Sequence, residues 1–116
     1  MVDSAGELVF FERMDNTQSA SMIIAQEKAR TAAKFKRPSK ALEEALVGGR
    51  HAILGLPGAT PLEGGIPLIL DGKIIGAIGV SGVTSPQDGV CAQAGADTLG
   101  KQPAPPAARP PTPPRK

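Results

Sequence analysis

IPLILDGKIIGAIGV, residues 66–80, is the stretch on which the fold turns. Two apolar runs, 66–70 and 73–80, flank Asp71-Gly72, a pair able to take the left-handed backbone angles of a type I′ turn. The segment therefore reads as an antiparallel hairpin. Gly76 and Gly79 lie in its second strand at a conformational cost, which implies that a helix, a partner or a ligand comes close above them. Directly upstream, residues 48–65 hold six glycines and two prolines, the composition of an irregular, closely approached loop. Directly downstream, Ser85, Pro86, Gln87 and Asp88 have the form of a helix start, with Ser85 as cap, Pro86 at the first position and Asp88 at the third. That helix should reach about Leu99 and end at Gly100.

Further upstream, SASMIIAQEKARTAAKF (residues 19–35) reads as a helix capped by Ser19 or Thr17. Its Met22, Ala25, Ala29, Ala32 and Ala33 share one side, and residues so small let a backbone approach a sheet closely. Lys28, Arg30, Lys34, Lys36, Arg37 and Lys40 accumulate toward its end, where they complement the helix dipole and read as a solvated helix terminus. Pro38 breaks the pattern, and Ser39 can cap a second short helix with Ala41, Leu42, Ala45 and Leu46 inside. Gly48 and Gly49 end it. At the beginning, Val2, a turn over residues 3–6 and an apolar stretch over residues 8–12 read as a strand end, a connection and a second strand. The order strand, strand, helix, helix, loop, strand, strand, helix predicts an α+β fold, an antiparallel β-sheet flanked by helices. A doubly wound nucleotide-binding sheet is excluded, because no Gly-x-Gly-x-x-Gly follows a first strand and no phosphate-loop lysine motif occurs.

Composition narrows the function. A chain of 116 residues holds at most one ordinary domain. Seven of the twelve prolines fall within residues 103–114. The expected organisation is thus a domain over residues 1–100 and a disordered, proline-rich basic tail over 101–116. The formal charge of +2 divides unevenly: residues 101–116 supply four bases and no acid, leaving nine bases against eleven acids in the body. With no tryptophan or tyrosine and only three phenylalanines, base stacking has little to work with, and no nucleic-acid partner is expected. Cys91 is the one cysteine, so neither an internal disulfide nor a cysteine-rich zinc cluster can form. No run of eighteen apolar residues exists and the first ten residues lack a signal-peptide pattern, so a cytoplasmic protein with no membrane partner is expected.

VDSAGELVFFERMD (2–15), KARTAAKFKRPS (28–39), LPGATPLEGGIPLILDGKIIGAIGVSG (56–82) and TSPQD (84–88) together resemble the GlcG/HbpS family, also called the heme-degrading domain family. The resemblance covers roughly residues 2–99, and its specific part is 56–82. It implies an antiparallel sheet flanked by helices, oligomeric assembly and, in some members, binding or slow breakdown of heme. It also implies a chain shortened at the N-terminus, because members usually carry a helix and most of a first strand before the segment equivalent to Val2 and Asp3. A sheet edge would then be left for a neighbouring subunit to cover.

Candidate site residues follow from chemistry. His51, the only histidine, is the first choice as a metal ligand to heme iron, since neutral imidazole binds it well; an ordinary surface or half-buried histidine is the alternative. Cys91, Met14 and Met22 are further axial donors, with a core role as the alternative for the cysteine. Arg50 and Arg30, with Arg13 and Arg37, can meet acidic groups such as heme propionates, or else make exposed salt bridges. Glu63, in the glycine-rich loop, can orient a small ligand or serve as a base, or cap a neighbouring element. A single histidine supports no Ser-His-Asp arrangement, so whether the protein is an enzyme stays open. Three readings stand: an oligomeric heme-binding or heme-degrading-like domain, a binder of another small molecule, and a structural or interaction subunit without catalysis.

Overall fold

The computed structural model describes residues 1–101. Three strands, β1 (Val2–Asp3), β2 (Gly65–Leu70) and β3 (Lys73–Gly79), form an antiparallel sheet in the order β1-β3-β2. Three helices accompany it: α1 (Ala20–Phe35), α2 (Ser39–Val47) and α3 (Ser85–Lys101). The α+β architecture expected from the element order is the one observed. The expectation for the proline-rich tail lies outside the described residues.

The hairpin forms for the anticipated reason. Asp71 and Gly72 have φ of 52° and 76°, the doubly positive geometry of a type I′ turn. Ile66 pairs with Ile78 and Gly65 with Gly79, and the register shifts once, between Leu68 and Ile69. β2 is an edge strand, which is where Pro67, lacking an N–H, is tolerated.

Strand alternation assigns the helices to opposite faces. A Cβ on Gly79 or Gly65 would run into α1, at the Ala25 and Lys28 carbonyls respectively, whereas the Ile78 side chain reaches Gly95 of α3. The small side of α1 does lie against the sheet: Ala29, Ala32 and Ala33 form one buried cluster with Val2 and Ala77. Gly76 serves a different neighbour, since a Cβ there would meet the Val2 carbonyl of β1.

Five local expectations change. Residues 8–12 form no strand; apart from a single bridge between Val2 and Leu8, they run alongside the sheet with Val9 and Phe10 exposed. No side chain caps α1. The cap of α3 is Thr84 rather than Ser85: its Oγ1 accepts the Gln87 N–H at 3.4 Å and donates to Gln87 Oε1 at 3.0 Å. Ser39 does not cap α2 but ties it to the glycine-rich loop, donating to the Leu62 carbonyl at 2.5 Å and accepting the Gly65 N–H at 2.8 Å. That loop contains a short 3-10 helix, His51–Gly55, anchored by buried Ile53. Finally, α3 continues through Gly100 to Lys101.

Candidate functional site

Lys28 is the residue whose environment departs furthest from its sequence reading. Rather than joining the solvated basic end of α1, it is 2 % exposed and sends its ammonium to the opposite layer. Nζ donates to Asp88 Oδ2 of α3 at 3.1 Å and to the Val80 carbonyl, just after β3, at 3.1 Å. The route passes Gly64, the residue before β2, where a Cβ would come within 2.9 Å of Lys28 Cδ and Nζ. Gly64 also has φ of 138°, so two independent constraints call for glycine there. Asp88, equally buried, uses its other oxygen to accept the Val83 N–H at 3.0 Å. A charge pair taken out of water persists only when such extra hydrogen bonds complete it, and both partners have them.

Beside this pair lies a cavity of about 550 Å³, within the range typical of small-molecule sites. Its walls are residues 11–17, the start of α1 at Ser21, Met22 and Ala25, the loop 79–83, and α3 at Asp88 and Cys91. Phe11, Ala25, Val80 and Val83 supply apolar surface; Met14, Met22 and Cys91 supply three sulfur atoms of the kind that ligate soft or heme-bound metals. The Arg13 guanidinium sits on the same wall, 3.4 Å from the Met22 thioether and with no carboxylate in ion-pair reach among the described residues. The Asp88 charge is already matched by Lys28.

The structure divides the sequence candidates. Met14, Met22, Cys91 and Arg13 meet in the cavity wall. His51 and Arg50 do not: both are exposed, at and just before the short 3-10 helix. Arg30 is committed elsewhere, through Nε to the Gly6 carbonyl at 3.1 Å and through Nη1 to Glu27 at 2.6 Å. Arg37 turns back to the Phe35 carbonyl. Glu63 is half-buried, with its carboxylate against Gly89 in the first turns of α3, where an acid complements the helix dipole. Asp88 had only a helix-start role in the sequence, because nothing local in TSPQD announces a lysine 60 residues away.

The chain matches the family model described as "Haem degrading protein HbpS-like" over residues 1–97. It is 47 % identical over 81 residues to protein GlcG of Escherichia coli K12, covering 70 % of this chain and 60 % of GlcG, so it spans about three fifths of that relative's length. Among solved structures, a double mutant of HbpS from Streptomyces reticuli superposes with a TM-score of 0.77 at 32 % identity, covering 85 % of this chain and 68 % of that one. The complex of PduOC with heme superposes with a TM-score of 0.74 at 27 % identity, covering 84 % and 74 %.

Proposed function

Since this chain belongs to the HbpS-like, haem-degrading family, we propose that its cavity between residues 11–17, α1 and the start of α3 receives heme. The observation that carries the proposal is the set of groups gathered around one cavity: three sulfur side chains, a guanidinium with no carboxylate in ion-pair reach among the described residues, and apolar surface, with the Glu12 and Asp15 carboxylates on the 11–17 side. These residues fit the group. Thioether and thiolate sulfur are iron-ligand types, guanidinium pairs with carboxylates such as propionates, and Phe11, Val80 and Val83 offer flat or branched apolar surface to a macrocycle. When bound, heme supplies a redox-active iron; the chain's own part is to bind and orient it. The heme complex of PduOC, a structure of the same fold, supports this reading.

His51 enters differently. It is exposed and outside the cavity wall, so as an iron ligand it would act on a heme shared with another subunit. Self-association is part of the proposal for a separate reason: Val9 at 66 % and Phe10 at 52 % exposure lie beside the sheet on a stretch whose backbone is tied to Met1, and their apolar side chains are surface that a second copy can cover. Arg50 belongs with His51 in such an arrangement, whereas Arg30 and Glu63 lie outside the cavity lining, the first bonded to Gly6 and Glu27 and the second against Gly89.

Hemin titration followed by visible absorption tests the proposal, with Met22→Leu, Cys91→Ser and His51→Ala variants run in parallel. Saturation near one heme per chain with a defined ligated spectrum is expected, altered by a sulfur variant. Non-saturating uptake would sink heme in favour of another compact ligand. Loss of the spectrum in His51→Ala alone would move the ligand to the subunit boundary. Light scattering on the same samples reads assembly, and a monomer at every concentration would remove the self-association arm.

A further inference from the structure

We propose that the buried Lys28–Asp88 pair acts as a positioning device that sets one wall of the cavity, a role that deepens the ligand-site reading above and rests on it. The loop 80–83 supplies four consecutive residues of that wall. Its first residue is held at the Val80 carbonyl by Lys28 Nζ, and its last at the Val83 N–H by Asp88 Oδ1. The two holders are themselves joined at 3.1 Å. One ion pair thus fastens both ends of the loop. Between the fastenings, Ser81 and Gly82 make no hydrogen bond of their own among the described residues, and the space around Gly82 is open. The loop's shape is therefore set at its ends.

The pair is also placed so that neither member is spent on the ligand. Lys28 is outside the cavity wall and completely enclosed, and Asp88 presents a neutralised carboxylate with both oxygens engaged. Lys28 and Asp88 are accordingly positioning residues. They join α1 to α3 around the end of the sheet, the two helices that also carry Met22 and Cys91. A change in the pair moves the loop relative to both sulfur-bearing helices.

The test uses the full chain and the double variant Lys28→Met/Asp88→Asn, which removes both charges with little change of shape and leaves no uncompensated buried ion. Two readouts are taken: amide hydrogen exchange at Val80 and Val83, the hydrogen-bonded amides at the two ends of the loop, without ligand, and hemin release rate with the ligated spectrum. Exchange faster by about tenfold or more at Val80 and Val83, with the rest of the sheet protected as before, is the expected result, and hemin release should quicken by a similar factor. A merely structural pair would lower the unfolding midpoint and leave local exchange and release, measured well below that midpoint, unchanged; that outcome overturns the proposal. Should the double variant not fold, Asp88→Glu keeps the charge but displaces the carboxylate by one methylene from the Val83 N–H, and the same two readouts decide. If the wild-type chain takes no hemin, the ligand reading fails by itself, and exchange at Val80 and Val83 still shows whether the pair sets the loop.

Discussion

Lys28 Nζ lies 3.1 Å from Asp88 Oδ2, and this contact joins the middle of α1 to the beginning of α3 around the end of the sheet. The two side chains are 2 % and 3 % exposed, so water does not share the charge. Asp88→Ala leaves an ammonium enclosed with one carbonyl for company, and the expected loss is about 3–5 kcal/mol in a urea denaturation series. A loss below about 1 kcal/mol would mean that Lys28 finds solvent and that the pair is not enclosed as described.

Gly79 and Gly55 form a contrasting pair. A Cβ at Gly79 overlaps the Ala25 carbonyl and lies 2.7 Å from the Ala29 N, backbone atoms that cannot turn aside, whereas Gly55 has nothing within 4 Å. Gly79→Ala should therefore push α1 off β3 and cost about 1–3 kcal/mol or more. Gly55→Ala should stay within about 0.5 kcal/mol of wild type. Equal midpoints for the two variants would contradict the close approach of α1 to the sheet.

The hairpin offers a purely conformational test. Gly72 has φ of 76° and an added Cβ there meets nothing within 4 Å, so Gly72→Ala meets no steric wall and pays only for the left-handed backbone. The expected cost is about 1–2 kcal/mol with unchanged secondary structure by circular dichroism. Wild-type stability would place the turn in another class.

Ser39 holds the glycine-rich loop with a single hydroxyl, donating to Leu62 and accepting from Gly65 N. Ser39→Ala strands that enclosed Gly65 N–H, and about 1–3 kcal/mol should be lost at equilibrium. The readout that separates this from general weakening is faster amide exchange at Gly65 than at the hairpin centre; uniform exchange across the sheet would reject a local tie.

How far the fold can be read from sequence depends on how local each cause is. Asp71-Gly72 carries its turn in two adjacent residues, and the small side of α1 is visible as Ala29, Ala32 and Ala33 at helical spacing, so both were legible. Residues 8–12 have the apolar content of a strand, but a strand needs a continuous ladder, and beyond the bridge at Leu8 and the hydrogen bonds of Val9 and Phe10 to Met1 none forms with them among the described residues. Lys28 follows Glu27 and precedes Arg30 on a charged helix, where solvation is the economical reading; its acid lies 60 residues on. The same holds for the cavity. Met14, Met22, Cys91 and Arg13 come from three separate segments, and only the packing of α1 and α3 against the sheet gathers them, while His51, chemically the most obvious ligand, sits outside that wall.

Arg13 is a cation that the cavity presents without a carboxylate partner among the described residues, its guanidinium resting 3.4 Å from the Met22 thioether. Its exposure limits what one ion pair there is worth, roughly 1 kcal/mol or about fivefold in affinity. Arg13→Ala should thus weaken hemin binding several-fold and no more. Because the attraction is to carboxylates, hemin dimethyl ester, whose propionates are uncharged, should bind the wild type and the variant alike. High salt should shrink the wild-type advantage for hemin itself. An equal loss for acid and ester would assign Arg13 a role in holding Met22 instead, and a loss of a hundredfold or more would show the guanidinium enclosed on binding rather than exposed as it is here.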